Sequence, residues 1–214
     1  MKDKGNLTEL IYTDLKNKIM DGELRGGQEL NEKTLCEQYE VSKTPMKLAF
    51  YRLSADGLVD IIPNRGCYVR EFTLGYIIEI MQVREVLEGK AAFLACNKLS
   101  QGVSGEFERL RAIFTDPYDV NKRQFYIDEG DKLHSYILAT ANNSVISHMI
   151  GLFQVQIGRI THYNSVIPER CKEAFLEHRA IIEAFTNQDA EEAERAMRIH
   201  IRNTATTTVY NFSG

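Results

Sequence analysis

The chain has 214 residues and a formal net charge of −4, a length that allows one or two domains with a sizeable core. No run approaches the ~18 uninterrupted apolar residues of a membrane helix, and the opening MKDKGNLTEL lacks the apolar stretch of a secretory signal. Cys36, Cys67, Cys96 and Cys171 are scattered without a CxxC pair, which argues against a zinc finger or a disulfide framework and for reduced thiols in the cytoplasm.

Residues 7–21 place Leu7, Leu10, Ile11, Leu15, Ile19 and Met20 on one face and predict an amphipathic helix. Gly22, Gly26 and Gly27 end it, and Gln28-Glu29-Leu30 reads as a short extended connection. Asn31 is a fair N-cap for a helix over 31–39 with Leu35 and Cys36 turned inward. The next stretch, residues 41–59, organises the whole first half. Ser42 or Thr44 can cap a helix whose first turn holds Pro45, a residue with no N–H to leave unsatisfied there. Met46, Ala49, Phe50 and Leu53 then form a stripe that must bury, and Asp56-Gly57 stops the helix. Its other face carries Ser42, Lys43, Thr44, Lys47 and Tyr51, the polar and cationic surface of a helix that reads DNA.

A short strand over 58–62, a tight turn at Pro63-Asn64-Arg65-Gly66 and a second strand at 67–69 complete a winged helix-turn-helix with a basic tip. From residue 43 to residue 70, Lys43, Lys47, Arg52, Arg65 and Arg70 stand against Asp56 and Asp60. A locally basic surface on an acidic chain predicts DNA binding that weakens quickly with salt. The order resembles the DNA-binding domain of the GntR family of bacterial transcription regulators. That family's pattern V-S-R-T-P-V-R-E-A-L, a later leucine, E-G-L and a wing P-x-R-G-x-x-V is matched at Val41, Ser42, Thr44, Pro45, Ala49, Leu53, Gly57, Leu58, Pro63, Arg65, Gly66 and Val69. The resemblance implies that Ser42, Lys43, Thr44, Lys47, Arg65 and Gly66 contact DNA. Lysines at 43 and 47 stand where the family usually has arginine, whose fork matches guanine O6 and N7. Either the operator differs from the usual short palindrome, or phosphate attraction carries more of the affinity.

Residues 71–74 read as a linker, dividing the chain into 1–72 and 73–214. Helical periodicity then runs over 74–99, 104–114, 120–141, 144–164, 169–186 and 190–210, with breaks at Gln101-Gly102, Asp116-Pro117, Asn142-Asn143, Pro168 and Asn187-Gln188. The expected fold is therefore mainly α: the winged domain with its small β-hairpin, followed by an all-helical antiparallel bundle. In the first bundle helix, Ile77, Met81, Arg84, Glu88, Ala91 and Ala95 share one sector, while Ile80, Val83, Leu87 and Leu94 share another. Arg84 and Glu88 in an apolar stripe read either as an internal ion pair or as a donor to an anionic ligand. All five histidines, His134, His148, His162, His178 and His200, fall in this half. His134 shares a face with Asp131, Ile137 and Leu138; His178 with Ala174, Ile181 and Phe185; His200 with Ala193, Met197 and Thr204. Three neutral imidazoles that converge need a cation, bound anions or water.

This half resembles the FCD domain, the effector domain of the FadR subfamily of GntR regulators, at Arg84 and Glu88, at Leu133-His134 with Asn143 nine residues later, at Glu177-His178-x-x-Ile181, Ala184 and Asp189, and at Met197-x-x-His200. In metal-containing members an aspartate and three histidines hold a divalent ion beside a pocket for a small carboxylate. The resemblance implies His134, His178 and His200 as ligands, with Zn, Ni and Mn not distinguished by sequence, and Arg84, Glu88 and Asn143 as effector contacts. The family's aspartate falls at Gly130, and Asp131 is the nearest substitute. The combined expectation is a cytoplasmic regulator, not an enzyme and not membrane-bound. It would act as a homodimer on double-stranded, palindromic operator DNA and as a repressor relieved by a small organic acid. Three alternatives stay open: an acyl or acyl-CoA sensor without metal, the metal itself as the signal, and a metal-dependent hydrolase.

Overall fold

Residues 4–99 and 105–212 are described by the computed structural model, and the chain divides into two units, Met1–Thr73 and Leu74–Gly214. In the first, helices α1 (Lys4–Met20), α2 (Glu32–Gln38) and α3 (Lys43–Ala55) are followed by the antiparallel strands β1 (Val59–Ile62) and β2 (Gly66–Val69). On α1 the buried stripe is Ile11, Leu15 and Ile19, each at most 1% exposed. Leu10, expected on that face, is 56% exposed, because one residue along a helix turns the side chain by about 100°. The α1 stripe packs on α3, whose Met46, Ala49, Phe50 and Leu53 are all buried as their spacing predicts. Asn31 caps α2, its Oδ1 accepting from Thr34 N at 3.0 Å, although Leu35 and Cys36 are only half-buried.

The stop after α3 is a paired closure: Leu58 N–H donates to Leu53 O at 2.9 Å and Gly57 N–H to Ser54 O at 3.0 Å. Gly57 holds φ +68°, the left-handed geometry that a side chain disfavours. The chain leaves this closure directly into β1, which pairs with β2 from Val59↔Val69 to Ile62↔Gly66. The extended connection before α2 also pairs with the wing: Leu30 N–H donates to Cys67 O at 2.7 Å and Val69 N–H to Gln28 O at 2.8 Å. The wing is thus hydrogen-bonded on both edges of β2, which holds its tip at a set distance from α3.

The second unit is helical throughout its described residues: α4 (Leu74–Leu99), α5 (Gly105–Thr115), a 3-10 turn (Val120–Lys122), α6 (Arg123–Ala141), α7 (Ser144–Gly151), α8 (Gln154–Ser165), α9 (Pro168–Thr186) and α10 (Ala190–Phe212). The helix start read at Ser104 and the break at Gln101-Gly102 lie outside the described residues. Leu74, read as linker, is the first residue of α4. Both α4 sectors are tested by burial. Ile77, Met81, Arg84, Glu88, Ala91 and Ala95 are all buried, while the other sector is mixed: Ile80 is buried, Leu87 and Leu94 are half-buried and Val83 is 38% exposed. The single helix expected over 144–164 is two, interrupted at Leu152 and Phe153. Pro168 opens α9 at its first turn, where its missing N–H costs nothing. Among the described residues no helix is long and apolar enough to cross a membrane.

Candidate metal centre and nucleic-acid interface

Three helices each deliver one imidazole to the interior of the second unit: His134 from α6, His178 from α9 and His200 from α10, all at most 8% exposed. One nitrogen from each lies within 4.8 Å of the others. His134 Nε2 is 3.2 Å from His200 Nε2 and 3.4 Å from His178 Nε2. The outward nitrogens of two rings are backed by carboxylates. His134 Nδ1 donates to Glu88, which also accepts from Arg84 Nε. His200 Nδ1 donates to Glu177 Oε2 at 2.7 Å, and Glu177 is held by Arg170 through contacts of 2.7 and 3.1 Å and by Asn203 Nδ2 at 2.7 Å. Two Arg–Glu–His relays, Arg84–Glu88–His134 and Arg170–Glu177–His200, therefore converge on one point.

The relays decide the chemistry. An ionised carboxylate only accepts, so each backed ring carries a hydrogen on Nδ1 and directs its Nε2 inward. Two Nε2 atoms 3.2 Å apart are held together by a proton or a metal cation between them. Burial first, and the neighbouring imidazoles second, push the His178 and His200 pKa values well below the ordinary 6.5, which disfavours a proton on either of those two rings. Burial would raise the Glu88 pKa, but Arg84 and then His134 outweigh it and keep the carboxyl well below its usual range. Neutral nitrogen donors, oriented by carboxylates from behind, are the arrangement of a divalent metal site. The residues present fit the ion.

A cavity of about 80 Å³ adjoins the three rings. Besides them, Arg84, Asp131, Asn164, Arg170 and Thr204 line it. Asp131 stands on its exposed rim and is not among the nitrogen and oxygen donors that cluster with the histidines. Asn143, expected at the effector, is instead the N-cap of α7, with Oδ1 accepting from Val145 N and Ile146 N at 3.2 Å each, and is not among the cavity-lining residues. Glu88 lies behind His134 and does not line the cavity, whereas Arg84 does. Arg170 and Glu177 were not singled out as site residues in the sequence. Arg170 is 3% exposed, and its position eight residues before His178 on one helix face was the signal that could have found it.

Asn164 adds a polar wall. Its Nδ2 donates to Thr208 Oγ1 at 2.8 Å, and Thr208 gives its own hydrogen to Thr204 O at 2.7 Å. That chain fixes the amide orientation and leaves Asn164 Oδ1 a buried acceptor with no hydrogen-bond partner among the described residues.

In the first unit, Ser42, Lys43, Thr44, Lys47, Arg65 and Gly66 are all exposed. Lys43, Lys47, Arg65 and Gly66 line one groove between α3 and the wing, together with Lys33 and Tyr51. Ser42 occupies the N-cap position without a side-chain capping bond. Tyr68 OH donates to Arg65 O at 3.0 Å and braces the wing tip. The charge counted along the sequence is smaller in space. Arg52 pairs with Glu9 and lies 4.2 Å over the Tyr12 ring, and Arg70 pairs with Asp60 at 2.6 Å. Glu32 stands 3.7 Å from Lys43 and 4.0 Å from Lys47. These are long, solvent-screened pairs that a phosphate can displace at little cost.

Two family models match the chain, the gntR family of bacterial regulatory proteins over residues 7–69 and the FCD domain over residues 79–203. The transcriptional repressor RspR of Escherichia coli is 22% identical over 200 residues, covering 92% of this chain and 86% of that protein. Among solved structures, E. coli McbR/YncC superposes with a TM-score of 0.68 at 23% identity over 100% of both chains. The metal-free FCD domain of TM0439 does so with a TM-score of 0.58 at 21% identity, covering 66% of this chain and 97% of that one.

Proposed function

The chain belongs to the GntR family of bacterial transcription regulators, with an FCD domain as its second part, and from that premise we propose that a small carboxylate bound beside a divalent metal controls its affinity for operator DNA. His134, His178 and His200 would hold the ion, which when bound supplies a Lewis-acidic position for a carboxylate oxygen. The observation that carries this reading is the pair of relays: three Nε2 atoms converge from α6, α9 and α10, and the two arginines that set the relays also line the cavity. Arg84 and Arg170 favour an anion there, and about 80 Å³ suits a small acid. A long acyl chain needs a deeper apolar space, so the carboxylate reading is the better supported one.

On the DNA side, Lys43 and Lys47 at the start of α3 enter the major groove, while Arg65 at the wing tip meets phosphate or the minor groove. One short helix reads too few base pairs for an operator, so two copies meet a two-fold site. The ligand then acts by binding one arrangement of the DNA-binding units better than the other, the requirement for any such coupling. The first experiment is elemental mass spectrometry on untagged protein beside an H178A/H200A control, followed by operator binding with and without small organic acids. Near-stoichiometric metal lost in the control, and operator affinity that shifts only when acid is added, support the proposal. Affinity that tracks metal alone would make the ion the signal, and absence of metal would overturn the metal reading.

A further inference from the structure

Gly130 lies on α6 one turn before His134, where a side chain would share that residue's face. It is buried, and a Cβ built on it would stand 2.4 Å from His178 Cε1, 3.0 Å from Nδ1 and 3.3 Å from Nε2. No carbon sits that close to an unbonded ring, so any residue but glycine must push the imidazole away. The ring is packed on two sides. Its edge meets Phe114, with centroids 5.2 Å apart at 70°, and it packs against His200 at 4.5 Å. Displacing it withdraws Nε2 from His134 Nε2, now 3.4 Å away.

Resting on the metal reading above, we propose that Gly130 is a positioning residue of the metal centre. Its bare backbone is what lets His178 seat, and the ion is held by three imidazoles with no carboxylate from α6. Asp131 does not fill that role, because it is turned about 100° further round the helix and is not among the clustered donors. Glu88 and Glu177 are each already engaged by an arginine and a histidine. A divalent ion on three neutral ligands therefore keeps more of its charge uncompensated than it would with a carboxylate from α6.

The test compares the full-length wild type with G130A and G130D, and H178A with the G130A/H178A double variant. Each is stripped of metal and titrated with Co²⁺ alone, read by its visible absorption and by competition against a chromophoric chelator, with circular dichroism to monitor folding. Wild type should take up one Co²⁺ per chain. Both G130A and G130D should bind at least about tenfold more weakly, and alanine at 130 should cost nothing further once His178 is removed. A G130D protein that binds as tightly as wild type or tighter would show that the position lacks a ligand and would overturn the inference alone. So would an equal loss from G130A in the presence and absence of His178. A wild-type protein that binds no Co²⁺ would instead overturn the metal reading itself, and this inference with it.

Discussion

Glu177 shows how much of this centre depends on residues that touch neither metal nor ligand. It orients His200, and it is the carboxylate partner of Arg170, whose side chain is 3% exposed. Exchange for glutamine removes the charge that both require. E177Q should lose metal affinity by about 10- to 100-fold. By leaving a buried guanidinium with only the exposed Glu173 carboxylate, 3.7 Å away, as counter-charge, it should also cost about 3 kcal/mol of stability in chemical denaturation. Protonation gives a second prediction. In the folded protein His178 and His200 are held neutral, mainly by burial, while in the unfolded chain they take up protons from about pH 6.5 downward. The unfolded state then binds more protons, so their contribution is intact above pH 6.5 and is lost as pH falls through that value. Metal-stripped protein should lose up to about 1.4 kcal/mol per pH unit per histidine between pH 6 and 5, measured by melts in chelator. Glu88, whose pKa is lowered, keeps its contribution down to pH 4.5, below the range in which the imidazoles act. H178N should flatten the profile. The three histidines were legible in the sequence because helical spacing alone turns them inward. Gly130 was not, because its meaning lies in the ring that α9 presses against it, and periodicity within one helix carries no information about another.

The helices of the first unit were readable for a physical reason: their starts and stops are local chemistry. Asn31 caps α2 with its own side chain, and Gly57 closes α3 with a conformation that glycine alone adopts cheaply. The break between α7 and α8 had no such marker. Ile146, Ile150, Ile157 and Ile160 remain buried on both sides of it, so the apolar period continues through an interruption that leaves no capping residue behind. Within α3 the two faces predict different outcomes. Leu53 is fully buried against the rest of the unit, and L53A should cost about 2–5 kcal/mol by cavity formation, read by denaturant titration, with the lost fold taking DNA binding down with it. Lys47 is exposed and held only by a long pair with Glu32. K47A should leave the melting temperature unchanged and reduce the ratio of operator to random-DNA affinity. Equal losses on both DNAs in fluorescence anisotropy would make Lys47 a phosphate contact.

At the scale of the whole molecule, a net charge of −4 sets the problem of binding a polyanion. Five cations between residues 43 and 70 suggested a broad basic surface, but the fold withdraws two of them, pairing Arg52 with Glu9 and Arg70 with Asp60. Lys43, Lys47 and Arg65 remain on the groove between α3 and the wing. Each phosphate neutralised contributes about −0.9 to the slope of log affinity against log salt. One copy engaging three phosphates should give a slope of about −2.7, and two copies on a two-fold operator a slope of about −5.4. Anisotropy titrations from 50 to 200 mM salt separate the two, because the steeper slope loses about 2.7 further decades for each tenfold rise in salt. Replacing Lys47 in a dimer removes two contacts at once and should bring the slope back by about 2 if it meets phosphate, and leave it unchanged if it reads a base edge. The same titration therefore reports both the number of copies on the operator and the kind of contact that α3 makes, since dimerisation doubles every residue's effect and base contacts release no counterions.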